Sequence, residues 1–156
     1  MDKIKIVESP RDAMQGLTRF IPTKDKVRYI NALLKVGFDA IDFGSFVSPK
    51  AIPQLADTGE VVKKLDLSST DTKLLAIVAN KRGGEDAASF DEISYLGFPF
   101  SISPTFLKRN INSTIDKSVQ TVKDLLEICD KKNKSLVVYI SMAFGNPYGD
   151  EWHADV

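Results

Sequence analysis

Short apolar runs recur along this chain roughly every 30 residues, the length of a strand–helix–strand unit, with a longer amphipathic stretch between them. Residues 38–43, 73–79, 96–102 and 135–144 read as strands. A shorter alternating run at 4–7 precedes them and is stopped by Ser9-Pro10. Residues 73–79 are almost wholly apolar, as a strand covered on both faces should be. Pro99, inside the fourth run, demands a bulge or a distortion. The intervening stretches carry helical periodicity. Thr23 is placed to cap a helix over 24–36, with Val27, Ile30, Leu33 and Leu34 inward and Gly37 ending it. Residues 53–65 suit a looser helix on Val61, Val62 and Leu65, and a Gly83-Gly84 turn opens a third over 85–93. Ser113-Thr114-Ile115-Asp116 is similar to a capping box. The helix behind it reaches Lys132, with Val119, Val122, Leu125, Leu126 and Cys129 inward.

Strands joined by helices in this way lie parallel with right-handed crossovers, so the fold class is α/β. Two closures fit the same units, an open doubly wound sheet and a (β/α) barrel. No glycine-rich phosphate loop follows the first strand, which argues against the nucleotide-binding form of the open sheet. Four complete units and a fifth strand in 156 residues amount to just over half of an eight-unit barrel, which takes about 250. Without a linker or a low-complexity segment, residues 1–156 read as a single domain.

The 21 basic and 21 acidic side chains cancel, leaving no field to draw in nucleic acid or an anionic membrane. No apolar run approaches a membrane span, and none opens the chain as a signal peptide would. Cys129 is the single cysteine and sits on a core stripe, so it is read as packing rather than as a nucleophile. With no partner for a disulfide, a reduced, cytoplasmic setting is expected.

The carboxyl ends of parallel strands form the edge where ligands bind, and Arg11-Asp12 follows the first strand there. The arginine offers a fixed fork to a developing oxyanion, and the aspartate can hold a divalent cation or move a proton. An isolated Arg-Asp pair is an ordinary solvated turn, so the rest of the chain must supply the context.

Val7-Glu8-Ser9-Pro10-Arg11-Asp12-Ala13-Met14-Gln15 resembles the opening strand and loop of hydroxymethylglutaryl-CoA lyases. Ser45-Phe46-Val47-Ser48-Pro49-Lys50, with Pro53-Gln54 and Asp57, is similar to the second-strand loop of that family. Asn80 with Arg82-Gly83, Lys108-Arg109-Asn110-Ile111-Asn112 and Gly145-Asn146-Pro147-Tyr148 resemble three later segments, in order. The resemblance implies an incomplete TIM (β/α)8-type barrel. It also implies a retro-Claisen cleavage of 3-hydroxy-3-methylglutaryl-CoA in the complete enzyme, with an acyl-CoA substrate and a divalent metal, Mg²⁺ or Mn²⁺.

By the same resemblance Asp12 ligates the metal, Arg11 and Asp42 are catalytic, and Gln15, Ser45 and Tyr139 serve the substrate or the loop around it. The family's other metal ligands, a His-X-His pair and an asparagine, and its catalytic cysteine belong to later strands. The single histidine here, His153, is a tail residue, so this chain is expected to hold no complete metal site. Two positions depart from the pattern: Asp42 stands for a glutamate and Ala13 for a glycine.

Related condensing enzymes, the isopropylmalate and homocitrate synthases, carry an Asp-x-Thr-Leu run where this chain has Glu8-Ser9-Pro10. The lyase branch is therefore favoured over them. Other readings of the length are a truncated, inactive portion of a lyase and a natural half-barrel that serves as a binding or assembly module. Either half-barrel leaves edge strands open, so a homodimer or a larger assembly is expected.

Overall fold

The computed structural model describes residues 4–153 and 155. Five parallel strands form one sheet in sequential order, curled into a half-barrel. They are β1 (Val7–Glu8), β2 (Ala40–Ser45), β3 (Lys73–Ile77), β4 (Ile93–Ser101) and β5 (Ser135–Ser141). Helices α1 (Pro10–Gln15), α2 (Thr23–Leu34), α3 (Thr58–Val62), α4 (Lys81–Ala88), α5 (Pro104–Ile111) and α6 (Ile115–Lys132) fill the connections. The core lies between sheet and helices. Ile41 and Phe43 of β2, Leu74 and Ala76 of β3, and Leu96 and Phe98 of β4 pack with Ile30, Leu34, Leu125 and Cys129. Each isoleucine, leucine and phenylalanine side chain among them gains about 1.5–3 kcal/mol on leaving water.

Several boundaries differ from the sequence reading, each for a local reason. The first strand is Val7–Glu8, because the Ile6 N–H is taken by the Asp39 carboxylate at 2.8 Å instead of a ladder partner. Thr23 is the first residue of α2 rather than its cap, and its hydroxyl donates to Asp57 at 2.7 Å. The looser helix is broken into a 3₁₀ turn, Pro53–Leu55, and α3.

Gly83 and Gly84 lie within α4 rather than in a turn before it. Asn80 caps that helix by accepting from the Gly83 N–H. A Cβ at Gly83 would stand 2.7 Å from the Phe46 carbonyl, and one at Gly84 2.3 Å from Leu125. These glycines permit close approach. The next residues then form a strand sooner than expected, and Ile93 opens β4.

Pro99 needs no bulge. The β4–β5 register runs through it without a shift. Gly97 turns its carbonyl toward β3, accepting from Val78, so Pro99, two residues on, faces the same side beyond the end of β3. Its missing N–H costs no ladder bond there.

Helix α6 turns Leu125, Ile128 and Cys129 inward, while Val119 and Leu126 stay outside at 41% and 47% exposure. Thr114, not Ser113, is its cap. Helix α5 went unread, although Ser103-Pro104 marks its start and Ser103 accepts from the Phe106 N–H.

The segment after β5 folds back onto α5. Asp150 accepts from the Ser103 hydroxyl at 2.5 Å, the Thr105 N–H at 3.0 Å and the Thr105 hydroxyl at 2.9 Å. The Ser103 and Thr105 bonds, with the nearby Arg109 charge, hold its carboxyl below the usual range. A folded value below the unfolded one means the contribution is complete above about pH 4 and is lost as pH falls through the folded value. Trp152, the single tryptophan, lies against Gly145 in this segment and reports on it. Its fluorescence should shift in acid while the far-UV signal persists, and Asp150→Asn should remove the pH dependence. An acid shift unchanged in Asp150→Asn would assign it to another carboxylate.

Candidate active site

On the sheet face away from the helices, β2 presents Asp42 and Ser45. A register shift between Asp42 and Gly44 brings both to the same face by inserting one extra residue between them. Leu75, Ile77, Gly97 and Tyr139 share this inner face, and Gly97 leaves room beneath the Tyr139 ring.

Helix α1 begins two residues after β1 because Pro10 has a preset φ and no N–H to lose at a first helical position. This helix carries Arg11, Asp12 and Gln15 over the carboxyl end of the sheet. Ala13 lies within it at negative φ, so the glycine it replaces is not required there.

Arg11 ties the group together. Its Nε donates to both Asp42 oxygens at 3.2 and 3.1 Å, and Nη2 donates to Asp42 Oδ2 at 2.6 Å. Nη1 donates to Asp12 Oδ1 and to Gln15 Oε1, both at 2.9 Å. Gln15 Nε2 completes the ring with a bond to Asp12 Oδ1 at 3.3 Å. Asp42 is 1% exposed, the Arg11 side chain 14% and the Asp12 side chain 66%. The buried carboxylate thus anchors the arginine, and the exposed one faces outward.

Burial disfavours the Arg11 charge, but Asp42's hydrogen bonds and charge outweigh it and hold the guanidinium firmly protonated. Burial raises the Asp42 carboxyl, against the opposing pull of Arg11. Tyr139 is raised by burial and then by the Asp42 charge, so its phenol stays neutral and can donate. Ser45 is buried, its hydroxyl donating to the Ile77 carbonyl at 3.3 Å and accepting from the Val47 N–H at 3.3 Å. It shapes the loop after β2.

Behind α1 lies a second polar knot. Gln54 Nε2 donates to the Leu17 and Arg19 carbonyls, and its Oε1 accepts from the Ile21 N–H. Lys26, 1% exposed, donates to Asp57 at 2.5 Å and to the Gln54 carbonyl, and lies 4.2 Å from the Phe20 ring centre. The sequence reading placed Gln54 and Asp57 in a family-like loop but missed Lys26, whose helical position suggested only a surface charge.

Over 149 residues the chain is 34% identical to the mitochondrial hydroxymethylglutaryl-CoA lyase of Mus musculus, a match covering 94% of this chain and 45% of that protein. It is 36% identical over 147 residues to the Bacillus subtilis lyase, covering 94% of this chain and 48% of that one. The crystal structure of a Bacillus subtilis HMG-CoA lyase superimposes with a TM-score of 0.90 at 34% identity, over 98% of this chain and 51% of that chain. This chain is thus similar, over nearly all of its length, to about half of a hydroxymethylglutaryl-CoA lyase.

The lyase of Acinetobacter baumannii, solved in complex with coenzyme A and 3-methylmalate, gives a TM-score of 0.89 at 29% identity, over 97% of this chain and 49% of that chain. A scan of protein-family models finds no match. The chain spans about half the length of the lyases it resembles. Among those relatives are mitochondrial enzymes and a cytoplasmic one from Danio rerio. No helix of the described residues is long and apolar enough to cross a membrane.

HMG-CoA lyases are metal-dependent in general. Asp12 suits a hard cation as one ligand, because its carboxylate is exposed and only Oδ1 is engaged. Asp42 does not, with both oxygens on Arg11. Among the described residues no three His, Cys, Asp or Glu side chains converge on a common point. These residues therefore fit a metal at one corner only.

Proposed function

We propose that this chain forms the substrate-activating half of a lyase that cleaves 3-hydroxy-3-methylglutaryl-CoA to acetyl-CoA and acetoacetate. The observation that supports this most is Arg11, held by Asp42 at the carboxyl edge of a parallel sheet in a chain similar to half of such a lyase. In the cleavage, the tertiary hydroxyl loses its proton and becomes a ketone as the carbon–carbon bond breaks. The electron pair moves into the acetyl-CoA enolate, and charge gathers on the thioester oxygen.

Arg11 is suited to that oxygen. Of its five N–H groups, one on Nη2 has no partner among the described residues. A preorganised donor of this kind is worth about 3 kcal/mol in the transition state. Asp42 keeps the guanidinium in place, Gln15 steadies Asp12, Ser45 orients the loop, and the neutral Tyr139 phenol can donate to the substrate. A divalent cation, Mg²⁺ or Mn²⁺, with Asp12 as one ligand would polarise the substrate hydroxyl and ease loss of its proton.

We further take residues 1–156 as one domain, place the protein in the cytoplasm, where a lone buried thiol stays reduced, and expect it to associate with itself.

A chimera tests the lyase reading. Residues 1–156 joined to the second half of the Bacillus subtilis enzyme should cleave 3-hydroxy-3-methylglutaryl-CoA with Mg²⁺ or Mn²⁺ and lose this on Asp12→Asn. The 156 residues alone should show no turnover. A folded chimera without activity, or activity indifferent to Asp12, would overturn it.

A further inference from the structure

We propose that Gln54 is a positioning residue for the site: its side chain fixes the loop that follows α1, and through it the setting of Arg11 and Asp12. What those two groups then do rests on the lyase reading; where they stand does not.

Helix α1 is six residues long and leads straight into residues 17–22, which have no regular structure. Backbone groups in such a stretch lack helix or ladder partners, and leaving them unpaired away from water is costly. The Gln54 side chain supplies the partners. Its Nε2 donates to the Leu17 carbonyl at 3.2 Å and to the Arg19 carbonyl at 2.9 Å, and its Oε1 accepts from the Ile21 N–H at 2.8 Å. Among the described residues these three groups have no other partner. A carboxamide carries two donors and an acceptor in one plane, whereas glutamate of the same length would set an oxygen against two carbonyls.

Gln54 is itself held. It is 4% exposed, Pro53 presets the turn that carries it, and the buried Lys26 ammonium donates to its carbonyl. The clamp reaches α1 directly, because the Leu17 N–H donates to the Met14 carbonyl at 3.1 Å.

Strand β2 and the loop after it therefore grip α1 at both ends. Asp42 takes Arg11 at the first turn, and Gln54 takes the chain just past the last. Between them Met14 is buried, but apolar packing is not directional, so the two polar grips set the angle of the helix. Asp12 depends on this most. Among the described residues its carboxylate meets only Arg11 and Gln15 of the same helix, so its direction is the direction of α1.

The Arg11 Nε–H, bonded to Asp42, is the reporter. In NMR of the full chain, where its absence in Arg11→Lys assigns it, this proton should exchange slowly with water. Gln54→Met keeps the length of the side chain and removes all three bonds. Exchange should then speed up by roughly 10–100-fold while the far-UV spectrum persists. Gln54→Glu keeps the Ile21 bond and should speed it as well, which serves if the methionine variant fails to fold. Thr23→Val deletes the hydroxyl bond to Asp57 in the same knot without touching the loop. It should lower the urea midpoint and leave the exchange at the wild-type rate. In the chimera, Gln54→Met should lower kcat by about 10²-fold, the effect of a small misplacement, with little change in KM. Wild-type exchange in both Gln54 variants, equal acceleration by Thr23→Val, or an unchanged kcat in an active chimera would each overturn the positioning role. An unsubstituted chimera without turnover counts against the lyase reading, whereas the Arg11 exchange judges Gln54 by itself.

Discussion

Lys26→Met should cost the fold about 3–5 kcal/mol, the penalty for removing one partner of a buried ion pair. Methionine fills the same volume, so the loss is electrostatic rather than steric. Without the ammonium, Asp57 keeps only the Thr23 hydroxyl, and the Gln54 carbonyl loses a donor. Loop 17–22, held by the Gln54 side chain, would loosen with it. Urea unfolding of the wild type and variant measures the cost from the midpoint at unchanged slope. Lys26→Met combined with Asp57→Leu should recover much of it, because the stranded charge is then gone. A single-variant loss below about 1 kcal/mol would mean that water enters and solvates Asp57, the ordinary fate of an exposed pair.

Arg11→Gln should lower kcat and kcat/KM of the assembled lyase together, by about 10²–10³, with little change in KM. Glutamine keeps a donor but loses the charge and the fork. The variant also strands Asp42, which burial already raises, so its carboxyl should titrate still higher. Carboxyl NMR of the variant reads that shift independently of turnover. A rise in KM at constant kcat would make Arg11 a ground-state binding residue, and the proposed enolate contact would fall.

The layout of the sheet was legible because its signals are local. Residues 74–77 are apolar on both sides, and 115–132 keep a helical stripe under the Thr114 cap. The reading failed where a distant contact decides the outcome. Nothing near Gly83 announces that the Phe46 carbonyl will press on it, so a helix start looked like a turn. Pro99 looked like a defect because the strand pattern cannot say where the neighbouring strand ends.

In the site, the resemblance named Arg11, Asp12, Gln15 and Asp42 without saying how they meet. The bidentate bond joins residues 31 apart in sequence, and through it Asp42 anchors Arg11. Lys26 was missed since charge at a helix position reads as solvated unless its burial is known.

Among the described residues each strand pairs with the one before it in the sequence, so these five strands hold one another as a linear array. Arrays open from their ends. The N-terminal end is the weaker, for β1 meets β2 at two positions, Val7 with Ala40 and Glu8 with Ile41, beside the bonds of Ile6, whose N–H reaches the Asp39 carboxylate and whose carbonyl accepts from the Asp39 and Ala40 N–H groups. Helix α1 hangs directly from that end. Amide exchange should therefore begin there and spare β3 and β4, so the segment that carries Arg11 and Asp12 would be the first to come and go, well before the fold as a whole.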